Sequence, residues 1–255
     1  MTNPSDSLAS LSFRSRLLFV LGYPGFAITS ALVSSIGIYF YLPPAGAGLE
    51  TQVSEEVFLG VLTAYGLARL IGGVVDSLAD PFVGHFSDRS TSKLGRRRLF
   101  MIVGIVPMIV FPGLLFFPPG APGSFDVFIF LTVVLAVYYI FFTVYVAPWF
   151  ALIPEIAKTE ADRVSFSRLR AMIGGPIVMA YGVIWLAGID VFKSAGLDAT
   201  TAVQMVVVLS CVLAFVMCLA PILALDESEL DVVPSTMDMK EALGTTLSNR
   251  PFMIY

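Results

Sequence analysis

The chain has 255 residues, 57% hydrophobic and 13% charged, whereas soluble globular domains carry roughly 25% charged residues. That composition excludes a soluble enzyme, a nucleic-acid binder and a secreted disulfide scaffold. The net charge of −4 averages over two solvent faces and implies no acidic or basic partner.

The charges cluster and leave uncharged stretches at 17–49, 99–125, 127–154, 171–189 and 199–225, the shortest of 19 residues. About 20 apolar residues at 1.5 Å each cross a ~30 Å hydrocarbon core, so each stretch predicts a spanning helix. A sixth span, 57–87, is interrupted by Arg69, Asp76 and Asp80. The expected helices are therefore 17–43, 57–87, 99–117, 127–154, 168–189 and 199–225, forming one bundle over 1–225.

Helix 1 is too long for the apolar region of a cleavable signal peptide and ends in Leu42-Pro43-Pro44 with no small-x-small cleavage pattern. Arg14 and Arg16 precede it. Arg89, Lys93, Arg96, Arg97 and Arg98 lie between helices 2 and 3, and Lys158, Arg163, Arg168 and Arg170 between helices 4 and 5. Lys240 and Arg250 follow helix 6, and the opposite loops hold only Lys193. Basic residues mark the cytoplasmic side, so the chain is expected to lie in the cell membrane with both termini in the cytoplasm.

Helix 2 carries the chemistry. Asp76 and Asp80 share a face at i,i+4, beside Gly72, Gly73 and Gly84, which leave room for a neighbouring helix or ligand. Counting back from Asp88 puts Asp80 about 12 Å and Asp76 about 18 Å into the membrane. A carboxylate there costs on the order of 3 kcal/mol and is functional by default. Two carboxylates about 6 Å apart repel by about 3 kcal/mol at an effective dielectric of about 20. They call for a proton, a metal cation such as Na⁺, or a basic neighbour, and Arg69 lies two turns before Asp76 on the same side. In the purely structural alternative, Arg69 neutralises Asp76 and the set is static.

Between helices 2 and 3 the chain reads Gly84-x-x-x-Asp88-Arg89-x-x-x-x-x-Gly95-Arg96-Arg97. This pattern resembles the signature loop of the major facilitator superfamily. Asp76-x-x-x-Asp80-Pro81 before it resembles the glycoside-pentoside-hexuronide:cation symporter branch, the melibiose permease-like family. Pro148-Trp149-Phe150-Ala151-Leu152-Ile153-Pro154-Glu155, Asp162-Arg163 with Arg170 and Gly174-Gly175, and Asn249-Arg250-Pro251-Phe252 agree with it. The resemblance implies a symporter of two six-helix bundles with substrate between the halves. Asp76 and Asp80 then match the acids that bind Na⁺ or H⁺. Gly84, Asp88, Arg89, Gly95 and Arg96 match a loop that latches conformational states. At the positions of melibiose permease's galactoside-binding aspartates this chain has Gly25 and Val146.

On helix 4, Tyr138, Phe142, Tyr145 and Trp149 form an aromatic stripe, read either as a substrate path or as packing with an interfacial tryptophan. Arg163, Arg168 and Arg170 are candidates for a latch or an anion contact. His85, the single histidine, lies at the membrane edge, and Cys211 and Cys218 read as packed thiols.

The expected fold is an all-α membrane protein, the amino-terminal six-helix bundle of a major facilitator superfamily transporter. A polar cytoplasmic linker follows at 226–248 and a truncated seventh helix at 249–255. The expected function is cation-coupled transport of a sugar, glycoside or sugar acid. No cofactor is expected beyond Na⁺ or H⁺ as coupling ion. The expected partners are a small solute, the bilayer and a carboxy-terminal half. A lysolipid symporter of the same family and a non-transporting membrane subunit are the alternatives.

Overall fold

The computed structural model describes residues 12–54, 62–157 and 159–225. Among them the long elements are six helical rods: α1 (Phe13–Tyr41), α2 (Ala64–Arg89), α3 (Arg96–Leu114), α4 (Phe125–Ile156), α5 (Glu160–Ser194) and α6 (Ala199–Ala224). Five are long and apolar enough to cross a membrane. The other, α2, has 26 residues but carries Arg69, Asp76 and Asp80 in its middle. Among the described residues these five spans, with α2 beside them, make the arrangement of a multi-pass membrane protein. The expected start of helix 2 at 57, the linker, the seventh helix, Lys158, Lys240 and Arg250 lie outside the described residues.

Several rods run past their expected ends. α1 starts at Phe13 rather than 17, α3 at Arg96 rather than 99, and α5 at Glu160 rather than 168, while α4 covers Phe125–Ile156 rather than 127–154. A span counted by uncharged residues stops at its first charge, whereas helical hydrogen bonding continues to a cap. The caps are present. The Ser12, Thr63, Thr159 and Asp198 side chains accept from the N–H groups of Ser15, Gly66, Asp162 and Thr201. The Thr201 N–H holds the Asp198 carboxyl below the usual carboxylate range. α3 begins after Gly95, whose φ of 100° favours glycine.

Two rods are not uniform α-helix. α1 contains a π turn at Leu32–Ile36, and α5 contains one at Arg170–Gly174. Each inserts one residue into the i→i−4 ladder.

α4 sits between α2 and α3, and α6 contacts α3, α1 and α5. Aromatic side chains from α4 seal the centre, and their polar tips bond backbone carbonyls of neighbouring helices. Tyr145 Oη donates to Cys218 O at 2.7 Å and Trp149 Nε1 to Phe19 O at 3.2 Å. Tyr41 of α1 donates to Leu115 O at 2.7 Å. In a bilayer, helices gain little from burying apolar surface against each other, so close packing and such bonds fix the bundle. Large apolar side chains, among them Val74 and Leu78 on α2 and Met179 and Val183 on α5, face outward.

Candidate functional site

Two glycine roles separate on α2. Gly72 lets α4 approach, because a Cβ there would stand 2.5 Å from the Tyr139 ring, whereas Gly73 and Gly84 face open space. On the α4 side, the buried Thr143 hydroxyl donates to Asp76 Oδ1 at 2.5 Å. Asp76 is half-buried, and Asp80, one turn nearer the basic loops, is exposed. Among the described residues no ion pair joins Arg69 to either acid. Two carboxylates and a hydroxyl make an all-oxygen set, the chemistry that suits a hard cation or a proton. Thr143 was not among the expected site residues. Its signal was a hydroxyl in the middle of an otherwise apolar, aromatic helix.

A second charged cluster joins α2, α3 and α4 at the end of the bundle that carries the basic loops. Arg96 bonds Glu155 Oε1 at 2.5 Å and the Asp88 carbonyl at 3.2 Å. Arg97 reaches Asp88 Oδ1 at 3.0 Å, Glu155 Oε1 at 2.9 Å and the carbonyl of Ala151. The arginine and glutamate side chains are 10–13% exposed, so the two-against-two charge balance is needed for their burial. Of the expected latch, Asp88 and Arg96 come together and Gly95 shapes the turn. Arg89 points outward and bonds His85 at 3.3 Å, and Gly84, with open space where a Cβ would stand, accepts from the Ser87 hydroxyl at 3.0 Å. Arg97 and Glu155 were missed as partners, although an acid closing a helix among so many bases was a visible cue.

The aromatic stripe divides. Tyr138, Tyr145 and Trp149 are 0–1% exposed, and their polar atoms bond Thr29, Cys218 O and Phe19 O. Of the two readings of the stripe, these three side chains support packing, since successive turns of α4 face α1 and α6. Phe142 alone stays partly open. It meets Phe26 edge-on at 6.1 Å, and Phe26 in turn touches the exposed Phe150 at 5.9 Å.

Around the start of α5, Arg163 donates to Ala157 O at 3.2 Å and so closes the end of α4. Arg168 is exposed. Arg170, half-buried, lies over the Tyr23 ring at 5.3 Å.

Gly25 and Val146 offer no acid, and Gly25 has no space for one. A Cβ there would stand 2.6 Å from Cys218 Sγ and 3.0 Å from the Cys218 backbone. Gly25→Ala is therefore expected to force α1 and α6 apart and cost about 1–3 kcal/mol, read as a lower melting temperature in detergent. An unchanged melt would contradict this packing.

The family whose description is MFS/sugar transport protein matches residues 19–255. The chain is 26% identical over 181 residues to "Uncharacterized symporter sll1374" of Synechocystis sp. (strain ATCC 27184 / PCC 6803 / Kazusa), covering 68% of this chain and 31% of that protein. It is 24% identical over 185 residues to "Uncharacterized symporter YnaJ" of Bacillus subtilis (strain 168), covering 72% and 37%. The matched part thus spans about a third of the length of these curated relatives. That family covers most of the chain's length, so the chain belongs to the MFS/sugar transport protein family.

Proposed function

We propose that the chain is the amino-terminal half of a cation-coupled secondary transporter for a sugar, glycoside or sugar acid. It would lie in the cell membrane with its basic loops and both termini in the cytoplasm. The observation that carries this reading is the Asp76 carboxylate, held by Thr143 in the middle of a spanning helix, with Asp80 one turn away and, among the described residues, no arginine paired to either. A bound Na⁺ or proton relieves the repulsion between the acids and an empty site restores it, so occupancy changes the relative energies of the two transporter states. The carboxy-terminal half would complete the solute site, because alternating access needs two bundles rocking around a midplane site.

A second reading, an amphiphile such as a lysolipid, draws support from two features. Gly25 excludes an acid at one galactoside position, and Phe26, Phe142 and Phe150 make the partly open face apolar. Uptake by the full-length transporter in liposomes separates the two. With labelled glycosides, hexuronates and a lysolipid offered in turn, accumulation of a sugar compound only under a Na⁺ or pH gradient is expected. Accumulation of the lysolipid alone would favour the second reading, and no gradient-driven accumulation would sink both.

A further inference from the structure

The π turn of α1 has a partner on α2. In an uninterrupted α-helix the Gly37 N–H would bond the Val33 carbonyl, four residues back. Here it bonds Leu32 O, five residues back, so Val33 O loses that donor. The Tyr65 hydroxyl of α2 takes its place on Val33 O. Tyr65 is 2% exposed, and a Cβ on Gly37 would overlap its hydroxyl, so glycine at 37 is what admits the ring. The π turn, the filled carbonyl and the missing side chain are three separate observations at one point.

Two donors compete for the Val33 carbonyl there. In the observed arrangement, Gly37 N–H bonds Leu32 O and Tyr65 O–H bonds Val33 O. In the other, Gly37 N–H returns to Val33 O, the turn becomes α-helical, and Tyr65 is released. The exchange removes the inserted residue, so the segment beyond Gly37 turns by about 100° and shifts by about 1.5 Å relative to the rest of α1. Such alternatives make an element bistable rather than continuously deformable. Tyr65 lies eleven residues before Asp76, about three turns, which brings both to nearly the same face of α2.

We propose that Tyr65 is a positioning residue that couples α2 to α1. It holds the Leu32–Ile36 π turn in one transporter state and releases it when α2 moves on cation loading. The coupling to the cation rests on the function proposed above, whereas the hold on the turn does not.

The test uses full-length transporter carrying Ile38→Cys, a side chain 43% exposed just past the turn. Thiol labelling is followed with and without Na⁺ and at two pH values, against the parent chain with its native Cys211 and Cys218. Tyr65→Phe is expected to change the cation-free labelling rate about fivefold, the equivalent of one neutral hydrogen bond, and to remove its response to the cation. The cation concentration giving half-maximal uptake should shift by no more than that same factor, because the acids are untouched and the linkage is reciprocal. Gly37→Ala, which displaces the hydroxyl, should act in the same direction. Tyr181→Phe removes a comparable bond remote from the turn, to the Ser210 hydroxyl of α6, and should lower the melting temperature without altering labelling. Cation-free labelling unchanged by Tyr65→Phe, in a protein that melts normally, would overturn the hold on the turn. Labelling that keeps a full cation response in Tyr65→Phe would overturn the coupling. If the parent with Tyr65 intact showed no response to either cation, the coupling and the reading of the α2 acids as a cation site would fall, while the cation-free rate would still judge the hold.

Discussion

Asp76→Asn in the full-length transporter is expected to lower cation-stimulated uptake about a hundredfold. That is the rate equivalent of losing the ~3 kcal/mol repulsion on which coupling depends. Asp80→Asn should act in the same direction with a smaller effect, since Asp80 is exposed while Asp76 is half-buried against Thr143. Both changes keep the side-chain volume nearly constant. Among the described residues no arginine is ion-paired to either acid, so melting temperatures should hold or rise. Solute exchange without a gradient should survive, because removing the charge removes the coupling and not the path. Uptake with and without a Na⁺ or pH gradient, beside thermal melts, reads these outcomes. Full gradient-driven accumulation in both variants would remove the acids from the mechanism.

Glu155→Gln is expected to cost about 3–5 kcal/mol of stability, because it strips a partner from two buried arginines at once. Arg96 and Arg97 both bond Glu155 Oε1, whereas the Asp88 carboxylate, which also bonds Arg97, is 40% exposed. Asp88→Asn should cost less, since its carboxylate is partly solvated. The melt of the Glu155 variant should change little with salt, as buried pairs are weakly screened. Replacing Arg97 by Met alongside Glu155→Gln should recover part of the loss, because one unbalanced charge is then gone. A single Glu155→Gln variant that melts like the parent would show that the cluster does not hold these three helices.

The six rods were legible from apolar run length, and the two helix 2 acids from the rule that charge at membrane depth is functional. The rod ends were not. Ser12 and Thr159 cap helices that continue through Arg14, Arg16, Asp162 and Arg163, and hydropathy has no term for a cap. The aromatic stripe on α4 shows a second limit. Spacing places Tyr138, Phe142, Tyr145 and Trp149 on related turns, but only packing distinguishes Phe142, partly open, from three anchors bonded to α1 and α6. Arg69 shows a third: lying two turns from Asp76 on the same side allowed an ion pair, yet none forms. Thr143 and Glu155 come from helix–helix registration of residues 67 and 59 positions from their partners, which a single sequence does not encode visibly. The π turns are likewise silent in composition, although Gly37 and Gly174 stand where they end.

The central claim is that Asp76 and Asp80, with Thr143, hold the coupling ion. Direct ion binding to purified full-length transporter tests it without a known solute. Na⁺ titration by calorimetry, with released or absorbed protons measured in weak buffer, should show saturable Na⁺ binding or proton uptake in the parent. Binding should weaken in Thr143→Val and vanish in the double variant Asp76→Asn, Asp80→Asn. Undiminished binding of either cation by that folded double variant would contradict the account.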